Sequence, residues 1–568
     1  MARTPLLRSL QQLFRDHWLG RAHGVAPSTI RALRQEALER RALGEPLPTP
    51  PPIVAPHDPS RLTRRGFLGS VAAGTAVLAL PRRAGAARTQ PRIAIIGGGI
   101  AGLTCAVRLA DRGIRSTVYE ASGRLGGRMF SNTRSWAEDQ VTEWGGELID
   151  TGHTTIRKLA HRFDLPLDDL LAAEPAGSQD TDFFFGRYYP KASADSDFAE
   201  IFPALTADAD AAPFPTTFDS FTAAGASLDH MSVYDYIESR VPGGHASPLG
   251  QLLEQAYAIE YAADTRVQAS LNLLYLLAFQ PDETSLAIFG ESDERSHIRG
   301  GNQQLPLRMA ASLGDAVTLG HRLVRLAKTA GGRYELTFER AGGTTETVAD
   351  FVVLALPFAV LRGIDTAGAG FDDLKDEAIQ ELGRGHSGKL QLQFRDRLWN
   401  QTGPWPGRGN GSSYSDTGYQ SGWEATRAQP GRNGILVFFS GGSIADAAHT
   451  AGPFATIGQA GVAADAARAL AQIEPVFPGL SARWNGRATQ SLPQKSPFFN
   501  LSYAYYRIGQ YTAFGGFEKV RQGGILFCGE HTSTDFQGFM EGGASEGKRA
   551  ARELAKLIDG RDDLDAGF

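Results

Sequence analysis

The sequence is poor in cysteine and has no long hydrophobic run. Only two cysteines, Cys105 and Cys528, occur among 568 residues, so a disulfide framework does not stabilise the fold. No stretch of 18 or more apolar residues suggests a transmembrane helix, and we expect no integral membrane segment. Neither internal repeats nor the spacing typical of metal ligands occurs. The composition, 42% apolar and 21% charged, is ordinary for a globular protein.

Lysine is missing from the N-terminal part of the chain. Residues 1–87 contain 13 arginines, no lysine and five acidic residues, a net charge of +8. Because the whole chain carries −5, residues 88–568 carry about −13. An acidic body binds nucleic acid poorly, which argues against such a partner, and it attracts cationic substrates mildly. The same charge also serves solubility.

Residues 92–102 have the order of a strand followed by a phosphate-binding turn. The apolar run Ile93–Ile96 predicts a buried parallel strand, and GGGIAG follows it. In this context Gly97 permits the turn and Gly99 lets the backbone approach a pyrophosphate. Gly102 lets the next helix pack closely on the strand.

The helix after this turn and the next strand complete the unit. Ile100 and Ala101 open the helix, so a pyrophosphate would lie against free N–H groups at its N-terminus. Thr117–Tyr119 predicts the second strand, and Glu120 after it is placed to accept a hydrogen bond from a ribose hydroxyl. This order predicts a dinucleotide site, and the acid favours a ribose without a 2′-phosphate.

Two further segments distinguish between NAD and FAD as the dinucleotide. GRLGGR occupies residues 123–128, and FCGEHT at 527–532 precedes GFMEGGASEG at 538–547. Both segments resemble those of the flavin amine oxidase family, which includes monoamine, polyamine and L-amino acid oxidases. The resemblance extends from Arg92 to Ile558 and implies that the cofactor is FAD.

The resemblance also implies which residues hold the FAD. Glu530 matches the residue at the diphosphate and ribityl region, and Val324 the one whose backbone meets the adenine. The helix that opens near Met540 would stabilise the negative charge of the reduced flavin. Ser502 stands where mammalian monoamine oxidases carry the cysteine that binds FAD, so non-covalent binding is expected. The implied contacts are Gly97, Gly99, Ile100, Ala101, Gly102, Glu120, Arg124, Gly127, Arg128, Gly145, Gly146, Glu147, Val324, Gly529, Glu530, Gly538, Phe539 and Met540.

Three residues are implied in the chemistry of the family. Lys389 interrupts an alternating strand and matches the lysine that holds a water against flavin N5, although a lysine there can also be a solvated edge residue. Tyr503 and Phe539 match the aromatic pair that encloses the substrate amine, and the π faces of such a pair favour an amine. Hydride then passes to flavin N5, and O2 reoxidises the flavin to give H2O2.

The segment EWGGELID at residues 143–150 bears on the substrate. L-amino acid oxidases of the snake-venom type carry here an arginine that pairs with the substrate carboxylate, and Leu148 stands at that position. Glu147 and Asp150 would suit a second ammonium group, although an acid here could instead cap the helix expected near Thr154 or bond to backbone. Trp423 lies in an aromatic-rich segment that would border the cavity.

We therefore expect oxidative deamination of a primary amine or polyamine. One alternative is an L-amino acid oxidase that gives a 2-oxo acid, ammonia and H2O2. Its substrate carboxylate would be bound by another arginine, such as Arg384 or Arg507. A further alternative is a flavin desaturase or isomerase that acts on C–C bonds, against which Lys389 and the aromatic pair argue. The resemblance also allows a homodimer.

The expected fold class is α/β, with two interleaved domains. A Rossmann-type FAD-binding domain is built from discontinuous segments, and an α+β substrate-binding domain lies between them. Helical periodicity is clearest at Ser232–Arg240 and Leu249–Phe279. The FAD-binding segments are 88–165, 297–366 and 495–560, and the substrate-binding segments are 166–296 and 367–494.

The first 87 residues precede the dinucleotide unit. TRRGFLG at 63–69 is followed by the mild apolar run 70–80 and by AGA at 84–86. This order resembles a twin-arginine signal, which implies export to the periplasm or the outside. Export after folding suits an enzyme that must acquire FAD in the cytoplasm. Residues 61–87 are assigned to this signal and residues 1–60 to an N-terminal extension and linker; a basic linker is the alternative to the signal.

Overall fold

The computed structural model describes residues 90–281 and 284–559. The predicted extension, residues 1–60, and the predicted export signal, residues 61–87, lie outside the described residues. Within them, short strands outnumber helices. The strands are β1 (Ile93–Ile96), β2 (Thr117–Tyr119), β3 (Ser131–Asn132), β4 (Thr142–Glu143), β5 (Leu167–Asp169), β6 (Ser178–Gln179), β7 (Asp182–Phe184), β8 (Arg187–Tyr189), β9 (Ser296–Ile298), β10 (Val317–Thr318), β11 (Arg322–Lys328), β12 (Tyr334–Arg340), β13 (Gly343–Ala349), β14 (Phe351–Leu354), β15 (Gly383–Arg384), β16 (Ser387–Phe394), β17 (Arg408–Gly409), β18 (Ser413–Tyr414), β19 (Ser421–Glu424), β20 (Gly434–Gly441), β21 (Phe454–Thr456), β22 (Trp484–Ser491), β23 (Ala504–Tyr505) and β24 (Ile525–Phe527). The α-helices are α1 (Ile100–Ala110), α2 (Thr154–Arg162), α3 (Lys191–Ala211), α4 (Ala223–Asp229), α5 (Val233–Arg240), α6 (Pro248–Glu260), α7 (Ser270–Leu277), α8 (Gln304–Leu313), α9 (Phe358–Leu361), α10 (Asp373–Glu381), α11 (Gly442–Asp446), α12 (Val462–Ile473), α13 (Gln510–Ala513) and α14 (Met540–Asp559).

A parallel sheet of five strands, in the order β10-β2-β1-β14-β24, carries the dinucleotide unit. Ile93 and Ile95 of β1 pack with α1 and α14, whereas Ala94 and Ile96 belong to the larger core that includes β11 and β12. Both faces of β1 are therefore buried, as its apolar run predicts. The α/β fold class is confirmed, with strands drawn from three separate segments.

The register of this sheet brings distant segments to one edge. Ile96 pairs with Tyr119 and with Leu354, and Leu354 pairs with Phe527. The carboxyl ends of the four strands therefore lie side by side, which is where parallel α/β sheets bind ligands. The domain boundaries given above stay a prediction.

A six-stranded antiparallel sheet, in the order β18-β19-β20-β16-β22-β21, lies within residues 413–491 and 387–394. Its strand β16 is buried along its whole length. Leu390 and Leu392 pack in a core with α12, and Lys389 and Gln391 point to the opposite face because side chains alternate along a strand. This alternation directs Lys389 toward the segment that contains β4 and Glu147.

The helical pattern predicted over Leu249–Phe279 corresponds to two helices and not to one. It is divided into α6 and α7, and Ala262 between them has a positive φ of 51°. The amide of Gln268 donates to the carbonyls of Tyr257 and Ala263 and closes the intervening loop. Ala262, Ala263 and Ala269 of the loop are buried although Val267 is exposed, and this apolar content hides the break from periodicity. Glu260 thus becomes the last residue of a helix.

Other predictions agree with the structure. The pattern at Ser232–Arg240 is α5 with Ser232 as its N-cap, and the helix expected near Thr154 is α2. Cys105 and Cys528 are buried free thiols. Among the described residues, no helix is both long and apolar enough to span a bilayer.

Candidate active site

One cavity of about 960 Å³ joins the glycine turn after β1 to the C-terminal end of α6. Its volume lies at the upper end of the range for ligand pockets, about 300 to 1,000 Å³. Gly97 and Glu120 line one end, whereas Tyr503, Phe539 and Glu260 line the other. The cavity therefore connects the predicted dinucleotide site with the predicted substrate site.

The glycine turn forms an open cradle at the N-terminus of α1. Gly97 has a φ of 115°, and a Cβ on Gly102 would lie 2.1 Å from the Gly97 carbonyl oxygen, so both positions exclude side chains. A Cβ on Gly99 would meet no atom within 4 Å. The space beside Gly99 is thus open to a phosphate next to the free N–H groups of the helix.

Glu120 is held in place at the edge of this cradle. Its Oε2 accepts a hydrogen bond from the Gly98 N–H at 2.7 Å, and its Oε1 accepts from the Ser122 N–H and hydroxyl at 2.9 and 2.7 Å. The carboxylate lines the cavity and keeps lone pairs free, since each oxygen can accept more than one bond. Its position suits a ribose hydroxyl, as predicted.

Arg128 and Glu530 join the two family segments. The guanidinium contacts Glu530 Oε1 at 2.8 Å and donates to the Ser502 carbonyl at 2.8 Å. Glu530 Oε2 accepts from the Gly538 N–H at 2.9 Å. Burial opposes ionisation of Glu530, but Arg128 outweighs it and holds the pKa of this carboxyl below its usual value.

His531 is a buried polar side chain whose ring nitrogens have no hydrogen-bond partner among the described residues. The imidazole lines the cavity and packs against Phe358, with ring centroids 4.5 Å apart. Burial lowers its pKa to about 4, so the ring is neutral at physiological pH. An unpartnered buried imidazole beside an open phosphate cradle fits a polar ligand such as FAD.

A pair of glycines brings a strand against the start of α14. A Cβ on Gly145 would lie 1.9 Å from the Arg128 carbonyl oxygen, and one on Gly146 would lie 2.8 Å from Met540 Cγ. The N-terminus of α14 is thereby placed at the cavity wall beside Gly538 and Phe539. A helix N-terminus in this position stabilises negative charge.

Lys389 forms a buried ion pair with Glu147. Its ammonium lies 2.9 Å from Glu147 Oε2 and donates to the Gly145 carbonyl at 2.8 Å, while the Trp423 indole donates to Glu147 Oε1 at 3.0 Å. Burial opposes ionisation of Glu147, but Lys389 and Trp423 hold its pKa below the usual value. An ammonium has three donors, so one remains for a water or ligand in the cavity.

Tyr503 and Phe539 are brought together at the cavity wall. A Cβ on Gly538 would lie 3.7 Å from Tyr503 Cδ2, so the tyrosine ring packs beside the residue that precedes Phe539. The Tyr503 hydroxyl donates to the Ile259 carbonyl at the end of α6. This bond turns the hydroxyl away and leaves the ring to face the cavity.

Asp150 does not line the cavity, and its prediction as a substrate contact is corrected. Its Oδ2 accepts from the Ser292 hydroxyl at 2.8 Å and lies 3.3 Å from His153 Nε2. Its Oδ1 accepts from the Glu294 N–H at 3.0 Å. Asp150 does not cap α2, which has no side-chain cap, but the alternative that it bonds to backbone agrees with the Glu294 N–H bond. Asp150 instead fixes the loop that carries Glu294.

Three of the residues implied as FAD contacts lie outside the cavity lining. The register of β11 shifts at Val324, whose carbonyl accepts from the Asp365 N–H at 3.0 Å, and Leu323 lines the cavity in its place. Arg124 donates to the Gly127 carbonyl at 2.7 Å and braces its own turn. Gly102 acts only through close packing, the role assigned to it from the sequence.

Arg507, one of the arginines suggested for a substrate carboxylate, lies outside the lining and 3.6 Å from Glu381 Oε2. The remaining predicted residues line the cavity, and the structure adds others. The cavity side chains that sequence reasoning missed include Glu260, Glu294, His531 and Phe439. Glu260 was hidden by the uninterrupted helical pattern, and Glu294 lies in an irregular segment without periodicity. His531 lies within FCGEHT at residues 527–532, so its place in a family-like segment is a sequence signal for it.

The parallel sheet, the phosphate cradle and the cavity that extends from it are typical of oxidoreductases that bind a cofactor at this edge of the sheet. The family model described as flavin containing amine oxidoreductase matches residues 100–555, and the chain belongs to this family. It is thus an oxidoreductase that acts on amines and uses a flavin.

Named relatives are similar over most of the chain. A flavin-containing amine oxidase of Danio rerio is 22% identical over 81% of this chain and 85% of that protein. A putative L-amino-acid oxidase, YobN, of Bacillus subtilis is 22% identical over 83% of this chain and 96% of that protein. The structure of cyclohexylamine oxidase from Brevibacterium oxydans superposes with a TM-score of 0.68 at 20% identity, covering 83% of this chain and all of that one. At this identity the last likeness concerns the fold.

Proposed function

We propose that this chain catalyses the FAD-dependent oxidative deamination of a primary amine or polyamine and releases H2O2. The observation that carries this proposal is one cavity that contains the phosphate cradle, the buried Lys389 and the pair Tyr503 and Phe539. The names of the amine oxidases similar to this chain support the same reaction class.

The residues that would hold the FAD lie along one wall of the cavity. Gly99 and the start of α1 would hold the pyrophosphate, Glu120 the adenosine ribose, and Arg128 with Glu530 the middle of the cofactor. The binding would be non-covalent, because neither cysteine lines the cavity and the Ser502 hydroxyl is bonded to Ser387 at 2.7 Å.

The flavin, when bound, supplies the oxidising power: it accepts a hydride from the amine carbon and passes the electrons to O2. Tyr503 and Phe539 would hold the neutral amine between them and fix the direction of its C–H bond. The free donor of Lys389 would hold a water at the reacting end. The buried walls would keep bulk water from the reaction.

Amino acid oxidation is the second candidate. Arg384 lines the cavity. Among the residues that the structure describes, its one hydrogen bond to another side chain goes to Asn500 Oδ1 and is long, at 3.4 Å. This arginine is therefore available for a substrate carboxylate. The name of the Bacillus subtilis relative supports this alternative. Leu148 lines the cavity where the resemblance would place the carboxylate-binding arginine of the snake-venom type, which favours amines.

Peroxide release tests the proposed function. The FAD-loaded protein starting at Arg88 is assayed by a peroxidase-coupled reaction with benzylamine, tyramine, putrescine, spermidine and the twenty L-amino acids. Peroxide from amines supports the proposal, whereas peroxide from amino acids alone supports the second candidate. No peroxide from any of them contradicts both. Heat or acid should release unmodified FAD if binding is non-covalent.

We also propose that residues 61–87 direct twin-arginine export. The order of the arginine pair, the apolar run and the small residues supports this proposal. Export of a reporter fused to residues 1–87 should stop when Arg64 and Arg65 are both changed to lysine. Unchanged export would contradict it.

A further inference from the structure

We infer that Glu260 and Glu294 form a second cation-binding subsite in the cavity, which takes the distal ammonium of a diamine or polyamine. This inference rests on the proposed function and deepens it, since it names the class of amine. It concerns two carboxylates that the sequence prediction had not assigned to the site.

Both carboxylates line the cavity without a partner. Neither side chain forms a hydrogen bond or ion pair with another residue in the ranges 90–281 and 284–559, and both line the cavity. By surface accessibility Glu260 is half-buried and Glu294 is exposed. Two carboxylates without a partner in one ligand cavity concentrate negative charge there, which attracts a cationic ligand.

Several other charged groups near this end are already paired. Lys389 pairs with Glu147, and Arg427 pairs with Glu174. Asp150 is bonded to Ser292 and lies 3.3 Å from the His153 ring. Glu260 and Glu294 therefore leave an excess of negative charge at this end of the cavity.

The position of Glu260 links the subsite to the aromatic pair. Glu260 ends α6, and the carbonyl of the preceding Ile259 accepts the Tyr503 hydroxyl. The same hydrogen bond thus ties the ring proposed to hold the reacting amine to the helix that carries Glu260. The C-terminal end of a helix also adds partial negative charge, which favours a cation there.

The backbone at Glu294 is held in an unfavourable conformation. Glu294 has a φ of 45°, a region that residues other than glycine seldom adopt. The Asp150 carboxylate stabilises this geometry by accepting the Glu294 N–H at 3.0 Å. Strained backbone of this kind is concentrated at functional sites, and here it places a carboxylate at the cavity wall.

The pKa values of the two carboxylates indicate how an ammonium would act on them. Burial, followed by the Asp150 carboxylate, raises the pKa of Glu260 to about 8. Burial, Asp150 and Glu260 raise the pKa of Glu294 to about 8, although Arg427 opposes this. A bound ammonium would favour the ionised forms, so binding of a diamine should release protons.

The decisive comparison is between amines of equal length with one or two ammonium groups. For the FAD-loaded protein, kcat/KM is measured for straight-chain 1,n-diamines of three to eight carbons and for the matching monoamines. We expect the kcat/KM of a diamine of matching length to exceed that of its monoamine by about tenfold or more, because one charge-assisted hydrogen bond contributes about that much. E260Q and E294Q should each remove most of this preference and leave monoamine kcat/KM within about twofold.

A matched control and a binding measurement complete the test. Glu346 is an exposed carboxylate on β13, and E346Q should leave the preference unchanged. Thermal melting verifies that each variant folds. Because two single variants are made, the test remains possible if one of them does not fold. If monoamines and diamines are oxidised equally well, the subsite is overturned while the proposed function stands.

Anaerobic calorimetric titration of the holoprotein, with its flavin reduced beforehand, measures the binding of hexylamine and 1,6-diaminohexane without turnover. Tighter binding of the diamine that both variants abolish supports the subsite even if no amine is oxidised. Equal binding of the two amines overturns it. The subsite and the proposed function can therefore fail separately.

Discussion

The buried ion pair of Lys389 and Glu147 makes each residue depend on the other. We predict that K389M lowers the free energy of unfolding by about 3 kcal/mol, because it leaves the Glu147 carboxylate buried with only the Trp423 indole. Amine oxidation should fall in parallel. The variant K389M/E147Q should regain most of the stability without regaining activity. Urea unfolding and kcat measure the two effects; a stable, fully active K389M would contradict this role.

Gly99 allows a test of the phosphate cradle that separates folding from binding. The substitution G99A adds a methyl group to open space, since no atom lies within 4 Å of its Cβ and its φ is −81°. We predict an unchanged melting temperature for the protein without flavin. The affinity for FAD should fall by about tenfold or more, because hydrogen bonds to a charged group are worth about 1.5 to 3 kcal/mol each.

Gly123 is the matched control for this experiment. A Cβ there would also meet no atom within 4 Å, yet Gly123 does not line the cavity. G123A should therefore leave FAD affinity unchanged in equilibrium dialysis. Equal affinity of G99A and the parent chain would show that the pyrophosphate lies elsewhere.

The paired carboxylates predict a pH dependence of substrate preference. Glu260 and Glu294 have pKa values of about 8, and the charged groups that act on them are Asp150, Glu147 and Arg427. Below this pH the pair is partly protonated and binds a distal ammonium weakly, whereas above it both groups are ionised. The ratio of kcat/KM for a diamine to that for its monoamine should therefore rise from pH 7 to pH 9. The ratio cancels the ionisation of the reacting amine, and a flat profile would contradict the assignment.

At the scale of elements, the strands and turns of the dinucleotide unit could be predicted because short-range rules determine them. An apolar run, a glycine turn and an acid at the next strand end lie within 30 residues, and β1, α1 and β2 follow them. The break between α6 and α7 could not be predicted, because it depends on long-range burial and on the bonds of Gln268. Glu260 was missed for that reason.

Asp150 shows a second limit of prediction from sequence. Its position in a family-like segment suggested a substrate contact, but its partners Ser292 and Glu294 are more than 140 residues away in sequence. Such partners become visible only when the chain is folded. Leu323 lines the cavity instead of the expected Val324, because the register of β11 shifts there and periodicity does not reveal such a shift.

Helix α10 is anchored by a buried lysine. The Lys375 ammonium donates to the carbonyls of Phe517 and Glu518 at 2.6 and 2.7 Å, and burial lowers its pKa to about 7. We predict that K375M destabilises the protein by about 2 to 4 kcal/mol, because two buried carbonyls lose their donor. The exposed Lys328 on β11 is the control, and K328M should shift the urea midpoint little. Equal midpoints would contradict the anchoring role.

At the scale of the whole molecule, the strand register gathers segments from both ends of the described chain into one cavity. The turn after β1, the acid after β2 and the segment after β24 meet at the carboxyl edge of the parallel sheet. The antiparallel sheet adds Lys389 and Trp423 from the other side. The residues proposed to hold the cofactor and those proposed to hold the substrate therefore line one cavity, as a redox reaction between two bound molecules requires.

The most direct test of the account is reduction of the bound flavin by an amine without oxygen. The FAD-loaded protein is mixed anaerobically with 1,6-diaminohexane, putrescine, benzylamine and L-amino acids, and the visible absorbance of the flavin is recorded. The account predicts that an amine bleaches this absorbance, and that added O2 restores it with formation of H2O2. If the absorbance persists with every amine, the chain does not oxidise amines by the proposed route.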